Sequence, residues 1–263
     1  MAEGNLEYNP EKNYDEETLA QQRDIERQIA EQSDLISKLL TLKELVEEYA
    51  KEDEVYRLKL ADLQSKYTSV RKTRGDGNCF FRAFGFAYLE KLLTDRDDLK
   101  RFKEVASKSK DELITLGFPQ FTIEDFHDTF MDIIAQVEKQ CSLTDLLHTF
   151  NDQGLSDYFV VYLRLIVSGY LQKESDFFVN FIEGDRTIKE FCSQEVEPMA
   201  KESDHIHIIA LTSALGVRVR VEYMDRGVGP SCNHHDFPED SRPQIHLLYR
   251  PGHYDVLYPH ETC

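Results

Sequence analysis

The sequence predicts an α+β domain in which a series of helices precedes a small, mostly antiparallel sheet. Between residues 35 and 215, apolar side chains recur at the three- and four-residue spacing of amphipathic helices. After Gly216 the spacing changes to two, which is typical of strands. The 263 residues include 16 Phe and 13 Tyr, which supply enough bulk for the core of one sizeable domain.

Residues 1–34 are predicted to form an acidic arm outside this core. The first 60 residues carry 16 acidic and 8 basic side chains, and aliphatic residues are sparse in the first half of that stretch. A helix is predicted at about 15–32, with Asp15 as its N-cap and Ile25 and Ile29 as a thin apolar stripe. The arm is either a partly disordered, solvated extension or a segment that orders against a partner.

The globular domain is predicted to span residues 35–259, followed by a short tail at 260–263. Its apolar pattern becomes dense at Leu35 and is helical from there. Gly216 suits the position after a helix C-terminus. Beyond the first helical stretch, the predicted helices lie at residues 79–93, 97–116, 123–138, 142–151, 155–170, 174–182, 186–195 and 203–215.

Three strands are predicted at the C-terminal end of the domain. The first alternates through residues 217–224, the second covers 245–249 and the third covers 253–258. The segment 225–242 is rich in Gly, Pro, Asn and Asp and is predicted as a polar turn region. Residues 250–252, Arg-Pro-Gly, are predicted as the turn between the last two strands.

The composition excludes several classes of function. The 49 acidic and 31 basic residues give a net charge of −18, which repels the phosphates of nucleic acids. No run of about 18 apolar residues indicates a membrane span, and the N-terminal segment lacks the pattern of a signal peptide. Five scattered Cys residues indicate reduced thiols rather than a disulfide framework. We therefore expect a protein of the cytoplasm or nucleus that binds neither nucleic acid nor membrane, and we expect a monomer.

No metal or cofactor is predicted. His205 and His207 form one candidate pair, and Cys232 with His234 and His235 forms another. Neither has a second ligand pair at the spacing of a zinc site.

One cysteine stands in a context that favours nucleophilic chemistry. Cys79 follows the glycine-containing turn 74–78 and begins an apolar helical pattern. The N–H groups and positive dipole of a helix N-terminus favour a thiolate, and the turn can direct N–H groups at a developing oxyanion. Cys141, Cys192 and Cys232 lack such a turn and are interpreted as small buried residues.

A base for this thiol is predicted at the start of the last strand. His253 follows a Pro-Gly turn, and strand periodicity directs Asp255 to the same face. Asp255 can then hold the imidazole in one tautomer and support its protonated form, which leaves His253 to pair with Cys79. The three residues together supply the roles of a Cys-His-Asp site.

Two motifs carry a family resemblance. The first is DGNCFFRA at residues 76–83, and the second is HYD at residues 253–255. They resemble the ovarian-tumour (OTU) family of deubiquitinating cysteine proteases, and residues 121–126, 202–208 and 249–255 resemble its otubain branch. The resemblance implies a papain-like fold with a small sheet between helical lobes. It also implies cleavage of the isopeptide bond that joins a ubiquitin C-terminus to a lysine.

The resemblance further implies roles for four residues. Cys79 is the nucleophile, His253 is the general base and then the general acid, and Asp255 is the orienting carboxylate. Asp76 belongs to the same motif and has two interpretations. Either its backbone N–H joins that of Cys79 in an oxyanion hole, or its side chain braces the loop.

A ubiquitin tail that ends in Arg-Gly-Gly needs carboxylates for its arginine and aromatic walls for its glycines. Residues where the first predicted strand enters its loop, and residues beside the turn that bears the histidine, are the candidates. These predicted ubiquitin-binding residues are Glu222, Tyr223, Asp225, Tyr249 and Tyr254.

Three functions fit these observations. The first is a deubiquitinase for polyubiquitin of the proteasome-targeting lysine linkage, with residues 15–45 contacting the proximal ubiquitin. The second is a protein that binds ubiquitin-charged conjugating (E2) enzymes and blocks ubiquitin transfer without using Cys79. One molecule can do both. The third is a general cysteine peptidase that acts on unfolded chains.

Overall fold

The computed structural model describes residues 33–49, 54–225, 227 and 229–260. The predicted arm helix at 15–32 and the last three residues of the predicted tail lie outside these residues. The strands are β1 (Leu40–Thr41), β2 (Tyr67–Arg71), β3 (Val219–Tyr223), β4 (Asn233–Phe237), β5 (Ile245–Arg250) and β6 (His253–Pro259). They form one sheet in the order β1-β2-β6-β5-β3-β4. Only the β3–β5 pair is parallel among the described strands, so the predicted mostly antiparallel sheet is confirmed.

The helices between residues 79 and 215 lie within a few residues of their predicted bounds. No helix among the described residues is long and apolar enough to cross a membrane. The helices are α1 (Leu42–Tyr49), α2 (Glu54–Lys66), α3 (Cys79–Leu92), α4 (Arg96–Thr115), α5 (Gln120–Glu138), α6 (Leu143–Asn151), α7 (Gln153–Lys173), α8 (Ser175–Phe178), α9 (Ile188–Phe191) and α10 (His205–Leu215). A 3-10 turn, Val179–Phe181, follows α8, and a π-helical turn, Cys192–Val196, follows α9.

The helical prediction is wrong at residues 35–41, which are extended. The side-chain amide of Asn151 accepts from the backbone N–H of Ile36 and donates to its carbonyl, both at 2.9 Å. Ile36 also forms a β-bridge with Thr73. These bonds come from distant residues and satisfy the extended backbone, so they override the local helical spacing.

Three strands were not predicted: β1, which lies in the stretch just described, β2 and β4. β2 is short, and its register is fixed by pairing with β6 near the other end of the chain. β4 lies inside the predicted turn region 225–242 and has the sequence NHHDF. Because β4 stands at the edge of the described sheet and pairs there with β3 alone, it can carry polar residues on exposed positions.

Helix α3 runs through the centre of the domain. Each residue from Cys79 to Leu89 is buried, and all of them except Arg82 are uncharged. It packs between α7 and the β5–β6 face of the sheet. Burial of each large apolar side chain contributes roughly 2–3 kcal/mol, so Cys79 begins a helix that is held firmly in the core.

A smaller core covers the opposite face of the sheet. Helices α1 and α2 provide part of it, and strands β2, β5 and β6 provide most of the rest. Its buried members are Leu42, Leu45, Leu60, Leu63, Tyr67, Val70, Met224, Cys232, Leu248 and Leu257. The sheet therefore lies between two helical lobes of unequal size.

Candidate active site

The loop before α3 has a backbone that requires glycine at one position. Gly77 adopts φ +74°, and a Cβ placed on it would overlap the backbone carbonyl of Ala200. Ala200 itself has φ +62°, and its N–H donates to the side-chain oxygen of Asn78 at 2.9 Å. Two unusual backbone segments are thus fitted together directly before Cys79.

Asp76 braces this loop through its side chain. Its Oδ1 accepts from the backbone N–H of Asn78 at 2.9 Å, and both carboxylate oxygens lie 2.9 Å from Nη1 of Arg82. The backbone N–H of Asp76 donates to the carbonyl of Arg74 at 3.0 Å. The structure therefore has the side chain of Asp76 bracing the loop, which is the second of the two interpretations. The backbone N–H of Asp76 would have to break its bond to the Arg74 carbonyl before it could bind an oxyanion.

The histidine and aspartate lie on the same face of β6, as the spacing predicts. Nε2 of His253 is 2.8 Å from Oδ1 of Asp255. The same oxygen accepts from the backbone N–H of Thr73 at 2.9 Å, and Oδ2 accepts from Arg250. Although complete burial raises the pKa of Asp255, the bond to His253 and the charge of Arg250 outweigh that effect and hold it below the ordinary value. Asp255 is therefore a fixed anion.

The other imidazole nitrogen faces the nucleophile loop. A Cβ placed on Gly75 would lie 3.6 Å from Nδ1 of His253, so this nitrogen faces the loop that carries Cys79. Burial lowers the pKa of His253, but the bond to Asp255 and the nearby Cys79 raise it to about 9. An imidazolium at neutral pH favours a thiolate partner, so the geometry supports an ion pair that is ready to attack a carbonyl carbon.

The predicted arginine receptor Glu222 is not at the surface. Its side chain is fully buried, and its carboxylate accepts from the Tyr67 hydroxyl at 2.8 Å and lies 3.5 Å from Nζ of Lys66. Asp225 is partly exposed but forms an ion pair of 2.6 Å with Lys59. The prediction that Glu222 contacts a peptide tail is therefore wrong, because its side chain is covered by the elements that pack on that face of β3.

The three predicted tyrosines form a ladder across neighbouring strands. Tyr223 is in register with Tyr249, and Tyr249 with Tyr254, with ring centroids 5.0 Å apart in both pairs. Tyr254 is buried and its ring contacts Phe80 of α3. The half-buried Tyr223 and Tyr249 remain as aromatic surface beside the turn that bears His253.

Several residues that shape the site were missed by sequence reasoning. Thr73 acts through its backbone N–H, and a backbone contact of this kind cannot be recognised from the type of residue. Arg82 lies within the cysteine motif, and Arg164 is a lone charge in the apolar stretch 159–167 of α7. Both arginine side chains are fully buried. A charged residue inside an otherwise apolar helix is the signal that could have found Arg164.

No group of three His, Cys, Asp or Glu side chains in the described part of the chain is arranged to hold a metal ion. The site consists of a buried cysteine at the head of a central helix and a His-Asp pair on the adjoining sheet. With helical lobes on both sides of that sheet, these features define a papain-like cysteine peptidase.

The chain belongs to the Peptidase C65 Otubain family, whose sequence model matches residues 28–259. It is 63% identical over 245 residues to the ubiquitin thioesterase OTUB1 of Homo sapiens, covering 93% of this chain and 90% of that protein. It is 43% identical to the OVARIAN TUMOR DOMAIN-containing deubiquitinating enzyme 1 of Arabidopsis thaliana, covering 84% of this chain and 80% of that protein.

Solved structures give the same result. One, described as h/ceOTUB1-ubiquitin aldehyde-UBC13~Ub, matches with a TM-score of 0.90 and 37% identity, covering 95% of this chain and all of that chain. Another, described as h/ceOTUB1-ubiquitin aldehyde-UBCH5B~Ub, matches with a TM-score of 0.89 and the same identity, covering 94% of this chain and 99% of that chain. The papain-like fold that the family resemblance implied is confirmed.

Proposed function

We propose that this protein is a deubiquitinase that hydrolyses the isopeptide bond between a ubiquitin C-terminus and a lysine. The observation that carries the proposal is the arrangement of Cys79, His253 and Asp255: Nε2 of His253 lies 2.8 Å from Asp255, and its Nδ1 faces the loop that carries Cys79. The identity of 63% to a ubiquitin thioesterase supports ubiquitin as the substrate class. The half-buried Tyr223 and Tyr249 suit the walls of a channel for the Gly-Gly end of its tail.

The proposed reaction has two steps. The thiolate of Cys79 attacks the carbonyl carbon of the terminal glycine, and the C–N bond breaks as the imidazolium of His253 gives its proton to the lysine amine. This leaves a thioester and a neutral imidazole. The imidazole then takes a proton from water, whose oxygen attacks the thioester, and the C–S bond breaks to restore the thiolate–imidazolium pair. Asp255 keeps the imidazole oriented throughout.

We further propose the proteasome-targeting lysine linkage as the preferred substrate, with residues 15–45 contacting the proximal ubiquitin. The acidic composition of the first 60 residues supports an arm that binds the basic face of ubiquitin. We propose a monomer that works in the cytoplasm or nucleus, and the free thiols of the described cysteines suit such a reducing compartment.

The function is tested by intact-mass spectrometry after incubation with ubiquitin that carries a C-terminal thiol-reactive group. We expect wild type to gain one ubiquitin and Cys79→Ser to gain none. Cys141→Ser is the control and should gain one, because Cys141 is a half-buried thiol outside the site. An adduct on Cys79→Ser would contradict the assignment, and a panel of diubiquitins incubated with wild type tests the linkage.

A second function is favoured by the solved structures that contain E2 enzymes joined to ubiquitin. Structures of h/ceOTUB1 with UBC13~Ub and with UBCH5B~Ub share this fold over nearly the whole chain. We propose that this protein also binds ubiquitin-charged E2 enzymes and inhibits ubiquitin transfer without catalysis. The two functions are compatible, because hydrolysis needs the thiol and binding does not.

The second function predicts that Cys79→Ser suppresses ubiquitin chain synthesis in a reconstituted E2 reaction about as strongly as wild type. Serine is nearly isosteric with cysteine, so the binding surfaces stay intact while the nucleophile is lost. The measurement is the rate of chain formation at increasing concentrations of each protein. Loss of suppression in the variant would show that wild type acts by hydrolysing the chains.

A further inference from the structure

We propose that Arg164 of α7 is a positioning residue that holds the nucleophile loop in register with the histidine strand. The inference rests on the proposed function, because it assigns Arg164 to the Cys79 reaction. Arg164 is fully buried and lies outside the cysteine motif, on a helix that supplies none of the Cys-His-Asp residues. Its hydrogen bonds nevertheless converge on the two segments that frame the nucleophile.

Arg164 joins the nucleophile loop to a second segment. Its Nη2 donates to the carbonyl of Gly77 and to the side-chain oxygen of Asn78, both at 2.9 Å. The same nitrogen donates to the carbonyl of Lys201 at 2.8 Å, and Nη1 donates to that of Val196 at 3.0 Å. One planar guanidinium thus bonds both the loop that contains Gly77 and the segment that contains Ala200, which touch each other at these two residues.

The second segment, residues 196–203, also contacts the residues on either side of His253. The hydroxyl of Tyr254, the residue after His253, donates to the carbonyl of Ser203 at 3.1 Å. The carboxylate of Glu202 would lie 3.1 Å from a Cβ placed on Gly252, which precedes His253. The segment 196–203 therefore contacts the turn and strand that carry His253, so a shift of this segment changes the distance between the thiol and its base.

The charge of Arg164 argues against a purely structural role. Its four bonded acceptors are carbonyl and amide oxygens, which are neutral, and a buried cation without a carboxylate partner is costly to folding. Burial lowers the pKa of Arg164 to about 10, and the charges of Asp76 and Cys79 oppose that shift. Arg164 bonds the two residues directly before Cys79, so its positive charge lies beside the nucleophile loop and favours an anionic nucleophile there.

Two substitutions separate charge from geometry. Arg164→Lys keeps the charge but has one nitrogen in place of two, so it cannot reproduce the planar set of four hydrogen bonds, and we expect kcat to fall about 10- to 100-fold with little change in KM. Arg164→Met also removes the charge, so alkylation of Cys79 by iodoacetamide at pH 7 should slow about tenfold. In Arg164→Lys the alkylation rate should stay within about twofold of wild type, because the charge remains.

Alkylation needs no ubiquitin, so it tests the role of Arg164 even if the proposed substrate is wrong. Peptide mapping reports Cys79 separately from the buried Cys192 and Cys232, whose labelling would reveal unfolding. Arg101→Met is the matched control. Arg101 also donates to a helix-end carbonyl, that of Leu215, but lies away from the nucleophile loop, so its loss should leave kcat unchanged.

Asn78→Ala removes the acceptor on the loop side and should lower kcat in the same way as Arg164→Lys. A single variant that folds, at either Arg164 or Asn78, is enough to test the proposal. Wild-type kcat in a folded Arg164→Lys, Arg164→Met or Asn78→Ala protein would overturn the proposal. Absence of ubiquitin hydrolysis by wild type, with slowed alkylation in Arg164→Met, would instead overturn the substrate and leave the role of Arg164 standing.

Discussion

Replacing Asp255 with asparagine is expected to move the alkaline limb of the pH profile for ubiquitin hydrolysis from about pH 9 toward pH 6.5. Burial disfavours the imidazolium of His253, and the carboxylate of Asp255 is the larger of the two contacts that restore it. Without that charge, the thiolate–imidazolium pair is lost at a lower pH. At pH 8 the loss of imidazolium alone lowers kcat/KM about 30-fold, and the loss of the carboxylate that orients the ring brings the fall to roughly 100- to 1000-fold.

The measurement is the initial rate of hydrolysis between pH 5.5 and 10, in buffers of constant ionic strength. Asp95→Asn is the control, because Asp95 caps α4 by accepting from the N–H of Asp98 and asparagine can do the same. Its pH profile should match that of wild type. An alkaline limb that stays near pH 9 in Asp255→Asn would show that Asp255 does not set the pKa of His253.

The same pair makes folding stability depend on pH. The pKa of His253 is raised above its ordinary value of 6.5, so its contribution is complete below pH 6.5 and is lost as pH rises through about 9. The pKa of Asp255 is lowered from 3.8, so its contribution is present above that pH and is lost as pH falls through the folded-state pKa. The pair stabilises the fold most between these two ordinary values.

Gly77→Ala is expected to damage both stability and activity. The left-handed backbone strains any L-residue, and the new Cβ overlaps the backbone carbonyl of Ala200, which cannot rotate away as a side chain could. The free energy of unfolding should fall by roughly 2–4 kcal/mol. Because the nucleophile loop must separate from the segment at Ala200, kcat/KM should fall about 100-fold.

Gly117→Ala provides the matched control. Gly117 has φ +95°, but a Cβ placed there meets no atom of the described residues within 4 Å. This variant therefore has the backbone strain without the overlap, and it should lose about 1 kcal/mol with unchanged kcat/KM. Urea unfolding and hydrolysis measured on both variants check the comparison. Equal losses in the two would mean that the fit between Gly77 and Ala200 has no role of its own.

Local patterns predicted the parts of the fold that local physics determines. The apolar helix that begins at Cys79 and the two-residue spacing of His253 and Asp255 need no knowledge of the rest of the chain. Gly216 ends α10 with φ +64°, as a C-terminal glycine should. The candidate site could be assembled in outline because its chemistry depends on residue types at helix and strand ends.

Glu222 shows why the rest could not be predicted. Alternation along β3 directs it away from the valines, toward a face that looks exposed in the sequence. In the fold, α2 and β2 cover that face and bring Lys66 and Tyr67 to its carboxylate, across more than 150 residues of chain. Strand periodicity tells which side chains share a face, whereas burial of the second face depends on which distant elements pack there.

The position of β6 within the sheet determines how the site can open. β6 pairs with β5 over residues 253–257 and with β2 over residues 256–259, so only Val256 and Leu257 lie between two paired strands. The amide protons of that doubly paired stretch should exchange most slowly with solvent. His253 lies three residues before it and pairs with β5 alone, so the general base is carried by the singly paired end of the strand, where small adjustments for an incoming substrate cost least.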